Sequence, residues 1–109
     1  MKISKELLKG STAIMILKVI AEEDAYGYQI VQKLSQRSND LFKLNEGTLY
    51  PILHSLEKEG FVESYRKQTE SGRERRYYKI TLEGKLQLSQ RMNEWKLFSE
   101  TVNHILEEP

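Results

Sequence analysis

The chain has no cysteine. That excludes disulfides and thiolate zinc sites, and it fits a reducing compartment such as the cytoplasm. Net charge is scarce too, at +1 over 109 residues, so overall charge gives no push toward nucleic acid or a membrane surface. No apolar run approaches the length of a membrane span. Lysines followed by apolar residues near the start do not make a secretory signal, because Lys18 interrupts the stretch and no small-residue cleavage site follows. Catalytic patterns are missing as well. His54 and His104 are far apart, and there is no His-x-x-x-His pair, no Gly-rich phosphate loop and no serine in a nucleophile elbow. The carboxylates are scattered along expected helix exteriors, where solvation is their ordinary use. The expectation is a non-enzyme with no metal and no organic cofactor.

What is present is one modest domain's worth of chain, 30% charged and 9% aromatic, without internal repeats or low-complexity segments. Its most informative run is LNEGTLYPILHSLEKEG, residues 44–60. Leu49, Ile52, Leu53 and Leu56 fall at i, i+3, i+4 and i+7, which stacks them on one helix face against a core. Asn45 is placed to cap that helix, Glu46 suits its positive end, and Gly60 ends it. The opposite side opens with Thr48, Tyr50, Pro51 and His54, small and hydrogen-bonding groups near an N-terminus, as a DNA-recognition helix requires. Pro51 breaks a local rule: either the helix starts later than Asn45 suggests, or its first turn is distorted.

Two helices are expected before this one. The first runs from a Ser4 cap to about residue 23, with Leu7, Leu8, Ile14, Leu17, Val19 and Ile20 inward. The second covers residues 27–37 with Ile30, Val31 and Leu34 inward, followed by a polar Ser38-Asn39-Asp40 connector. After it come two strands, residues 61–67 and 75–80, joined by TESGRE. In the second strand Tyr78 and Ile80 alternate with Tyr77 and Lys79, so one face packs on helices and the other meets solvent or ligand. Arg66, Lys67, Arg73, Arg75, Arg76 and Lys79 outnumber Glu70 and Glu74 by four in this hairpin. Such local concentration binds phosphate even in a nearly neutral chain, although a solvated basic hairpin is the plainer alternative.

Thr81 caps a last helix from residue 82 to about 107, roughly 40 Å long at 1.5 Å per residue. Leu88, Met92, Trp95, Phe98, Val102 and Ile105 form a coiled-coil-like stripe along it. A helix this long outruns an 80-residue body, and a second copy of the chain is the simplest cover for the surplus. The expected fold is mainly α with a small β-hairpin: a winged helix-turn-helix over residues 1–80 and a dimerisation helix over residues 81–109.

The runs LNEGTLYPILHSLEKEGFV and SGRERRYYKITLEG, with Tyr26-Gly27-Tyr28-Gln29-Ile30 heading the second helix, closely resemble the PadR-like transcriptional regulators. The resemblance spans nearly the whole chain. It implies an N-terminal winged helix-turn-helix, a C-terminal dimerisation segment, and repression of nearby genes relieved by an effector. A single C-terminal helix is similar to the family's short branch, which includes multidrug-sensing repressors. There a tryptophan on the last helix, paired with its symmetry mate, stacks flat aromatic ligands. Trp95 occupies the matching position. The flanking Glu94-Trp95 matches the related Ser-Trp only in part, so the ligand's identity does not carry over.

The DNA-contact candidates are Thr48, Tyr50 and His54 on the recognition helix, Gln29, Lys43 and Asn45 as phosphate anchors, and Arg73, Arg75 and Arg76 on the wing. Tyr50 has a second reading, a ring packed beneath the wing. Trp95, Met92, Leu8 and Ala13 are candidates for an aromatic effector site, if the first helix faces the last across a dimer. Trp95 on an apolar stripe also fits plain interface packing. The expected partners are a palindromic double-stranded operator, a second copy, and a planar aromatic molecule. Competing readings are a winged-helix protein–protein module and a DNA-binding regulator with no effector.

Overall fold

The structure, a computed structural model, describes residues 3–8 and 10–107. Residue 9 of the expected first helix and residues 108–109 of the expected C-terminal segment lie outside them. The elements run α1 (Lys5–Leu8), α2 (Thr12–Glu22), β1 (Ala25–Tyr26), α3 (Gly27–Arg37), α4 (Glu46–Lys58), β2 (Val62–Gln68), β3 (Glu74–Ile80) and α5 (Leu82–Glu107).

The single first helix expected from the apolar pattern is broken in two. Ser4 does cap its start, its Oγ accepting the Leu7 N–H. Gly10 then turns left-handed at φ +85°, and the hydroxyls of Ser11 and Thr12 both donate to the Leu8 carbonyl at 3.0 and 2.9 Å. The Ser11 N–H donates to the same carbonyl at 3.2 Å, so side-chain donors supplement a tightened backbone turn at the break.

β1 is the second departure. Residues 25–26 have no strand signature of their own, yet they pair antiparallel with β3 through Ala25↔Tyr78 and Tyr26↔Tyr77. The wing is therefore a three-stranded sheet in the order β1-β3-β2, not a lone hairpin.

α4 begins where its caps demand. The Asn45 side chain accepts the Thr48 N–H at 2.8 Å. At the other end Gly60, at φ +82°, donates to Glu57 and Phe61 donates to Leu56, the paired bonds of a left-handed helix stop. Pro51 lies inside the helix without delaying it. Its missing N–H leaves the Gly47 carbonyl without an i+4 donor, at a place where both residues are exposed.

Ile16, Leu17, Ile20, Ile30, Leu49, Leu53 and Val62 are fully buried and join α2, α3, α4 and the sheet in one core. Leu88 of α5 belongs to it too. α5 is fixed at its start. The Thr81 hydroxyl accepts the Gly84 N–H at 3.0 Å and donates to the Gly60 carbonyl at 2.6 Å, and the Thr81 N–H donates to Phe61 at 3.0 Å. A Cβ on Gly84 would lie 2.0 Å from the Phe61 carbonyl oxygen, so only glycine fits. The expected division between residues 80 and 81 falls inside this joint. Beyond it, Met92, Trp95, Leu97, Phe98, Ile105 and Leu106 are exposed.

Candidate nucleic-acid interface

Three pieces of chain meet on one side of the body. The first is the start of α4, with Thr48, Tyr50 and His54 exposed. The second is the start of α3. Tyr50 crosses to it: a Cβ on Gly27 would lie 2.7 Å from the Tyr50 hydroxyl and 3.1 Å from the ring carbon that bears it. The third is the wing. A cleft of about 490 Å³ opens between α3 and the hairpin, lined by Tyr26, Gln29, Lys67, Thr69 and Ser71 among others. Helix N-termini and basic side chains on a shared surface are suited to a polyanion.

Two of the expected anchors also hold local structure. Gln29 accepts the Tyr26 N–H through its side-chain oxygen at 3.2 Å, which caps α3 and leaves its NH2 group to face outward partners. Asn45 caps α4 as described. Lys43 is exposed just before α4, but it lines a different depression with Leu8, Thr12 and Leu44. Lys43 is thus not gathered with the others by any shared cavity.

The strand register divides the wing's arginines. Arg76 shares the helix-facing side of β3 with Tyr78 and Ile80 and opposes Arg66 across the ladder. Burial pushes the Tyr78 hydroxyl pKa up, while the Arg76 guanidinium beside it pulls the other way. Arg75 points to the opposite face, where its guanidinium lies 5.6 Å from the centre of the Tyr26 ring. Arg73 stands exposed at the tip, and its carbonyl closes the turn by accepting the Thr69 N–H at 2.9 Å.

The outer face of the sheet holds residues that the sequence pattern missed. Tyr77 was expected to meet solvent or ligand. Instead it is buried, with Tyr26 edge-on at 5.2 Å and Tyr65 stacked at 5.7 Å. The Lys67 ammonium sits 5.3 Å from the Tyr77 ring centre. The Tyr65 hydroxyl donates to Asp24 at 2.6 Å. That bond, then burial and the carboxylate's charge, push the Tyr65 pKa up to about 12. Tyr26 joins this cluster only through β1, a two-residue strand that no local pattern announces.

The expected effector residues are not gathered within the chain. Trp95 lines a groove of about 570 Å³ with Leu7, Ile14, Arg91, Glu94 and Phe98. Met92, Leu8 and Ala13 line three other depressions. Along the expected dimer stripe Leu88 is occupied inside the protomer's own core, Val102 is half-buried, and Met92, Trp95, Phe98 and Ile105 are exposed. Among the described residues no cluster of His, Asp or Glu could hold a metal ion, and no helix is long and apolar enough to cross a membrane.

A capped helix laid beside a second helix start, with a basic three-stranded wing next to both, defines a winged helix-turn-helix. Residues 16–90 match the model of the transcriptional regulator PadR-like family. A transcriptional regulator from Clostridium thermocellum superposes with a TM-score of 0.87 at 33% identity, over 96% of this chain and 99% of that one. A PadR-like transcriptional regulator from Bacillus cereus does so with a TM-score of 0.85 at 34% identity, over 96% and 100%. A transcriptional regulator of Mycobacterium tuberculosis is 31% identical over 86 residues, 79% of this chain and 77% of that protein. The chain belongs to the PadR-like family. It is a transcriptional regulator and not an enzyme.

Proposed function

We propose that the chain binds a palindromic operator as a homodimer, represses transcription from it, and lets go when a planar aromatic or drug-like molecule binds between the α5 helices. The observation that carries the DNA part is the convergence of the α4 start, the α3 start and the basic wing at one surface. In this reading α4 enters a major groove with Thr48 and His54 toward base edges and an exposed face of Tyr50 toward the backbone. Gln29, Lys43 and Asn45 hold flanking phosphates. Arg73 reaches the adjoining minor groove, Arg75 and Arg76 the strands beside it. Two copies would present recognition helices about one helical turn apart, roughly 34 Å.

The dimer and effector parts rest on α5. Its exposed stripe continues past the body, and Trp95 and Phe98, with ring centres 6.1 Å apart, offer an aromatic wall to a flat ligand.

Binding is read on duplex DNA from upstream of the chain's own gene. With Arg73 and Arg75 both changed to Ala, affinity falls for every sequence, and the salt dependence flattens by about one unit of slope per lost phosphate contact. Unchanged binding and slope would refute the DNA-contact assignment. Trp95 is the only tryptophan, so its fluorescence reports the effector site directly. No quenching by a broad panel of planar aromatics would remove the effector and leave a regulator controlled by abundance.

A further inference from the structure

Tyr50 stands where α3, α4 and the sheet come together. Its hydroxyl end rests on the backbone of Gly27, the first residue of α3, at a separation that a single methyl group would close. It also lies near enough to the Tyr78 hydroxyl of β3 to disfavour that group's ionisation. Tyr50 is 45% exposed, so it is not part of the core. Yet the surface it covers is the join between the two helices that a helix-turn-helix must hold at a fixed distance. Gly27 is not in a left-handed conformation; glycine is needed there for space, not for backbone freedom.

We infer that Tyr50 is a positioning residue for DNA reading, and that its phenol, seated on the bare backbone of Gly27, sets the spacing of the α4 start against the α3 start. This rests on the DNA-binding reading and assigns Tyr50 a role beyond contact with the duplex. Thr48 and the Asn45 cap lie on the same turn of α4, and Gln29 lies on the first turn of α3. A small rotation of one turn against the other would misplace base-edge contacts while leaving the protein's charge unchanged. Sequence preference is therefore what the contact protects, and nonspecific attraction to DNA is not.

The test is a cycle of wild type, Gly27→Ala, Tyr50→Phe and the double variant. An added Cβ meets the far end of a flexible side chain, so Gly27→Ala folds with the phenol displaced. Each protein is titrated with the chain's own upstream duplex and with a shuffled duplex of equal composition. Gly27→Ala should lower the ratio of the two affinities about tenfold, and any loss of a Tyr50 contact with the DNA backbone falls on both duplexes alike and cancels in the ratio. Tyr50→Phe removes the clashing oxygen and leaves a ring carbon at 3.1 Å that a shift of a few tenths of an ångström relieves, so the double variant should recover most of the way to the ratio of Tyr50→Phe alone. An unaltered ratio in Gly27→Ala, or losses that simply add, would overturn the inference. Thermal unfolding of the same four proteins reads the contact without DNA: non-additive shifts support it and additive shifts overturn it. If wild type itself fails to distinguish the two duplexes, operator reading falls on its own.

Discussion

α4 and α5 carry similar apolar spacings and treat them in opposite ways. On α4, Leu49, Leu53 and Leu56 are at most 3% exposed, inside the core that they share with α2, α3 and the sheet. On α5, Trp95, Phe98 and Ile105 are 49–64% exposed. Leu88 marks the changeover, because it is the last residue of the α5 stripe in the protomer's own core. Periodicity says which residues share a face. It does not say whether the same chain covers that face. The covered face holds one fold together, and the uncovered face is free to hold something else.

The largest expected effect tests the covered side. Leu53→Ala should cost about 2–5 kcal/mol of protomer stability, seen as a large fall in thermal midpoint. Next comes the uncovered side. Trp95→Ser with Phe98→Ser should leave the chain's unfolding nearly as it was, yet weaken the proposed self-association about a hundredfold in sedimentation. If that pair instead melts the chain as Leu53→Ala does, the stripe is internal packing and the contrast fails.

The smallest effect sharpens the comparison at the wing. Tyr65 has an ordinary pKa of 10.0 unfolded and about 12 folded. The fold thus favours the protonated hydroxyl, and its contribution is whole below about pH 10 and lost as pH rises toward 12. With Tyr65 37% exposed, solvent screening keeps the contribution under about 1 kcal/mol. Denaturant titrations across that window should show wild type losing stability relative to Tyr65→Phe. Parallel curves would mean that the Asp24 bond adds nothing.

Where local chemistry decides, the sequence was readable. The Asn45, Gly60 and Thr81 caps are short-range devices, and each sits where its residue type placed it. Tyr78 and Ile80 face the core as alternation required. What was not readable came from partners distant in the chain. β1 exists because β3 passes beside residues 25–26, and Tyr77 is covered because that pairing brings Tyr26 to it. The Gly10 break was hidden beneath an apolar pattern that runs on across it. Within the candidate site, the exposure of Thr48, Tyr50 and His54 was legible from helical spacing against the buried leucines of the same helix. The seat of Tyr50 on Gly27 joins residues 23 positions apart, and no spacing rule reaches that far.

Gly84 has a consequence for how such a protein can be cut and recombined. Its bare backbone against Phe61, the Thr81 bonds beside it and Leu88 in the core make the first two turns of α5 part of the winged-helix body. A transplant of the C-terminal arm from a relative would therefore have to begin beyond Leu88. Grafted at residue 81, the foreign helix would bring its own seat to a socket shaped for this one.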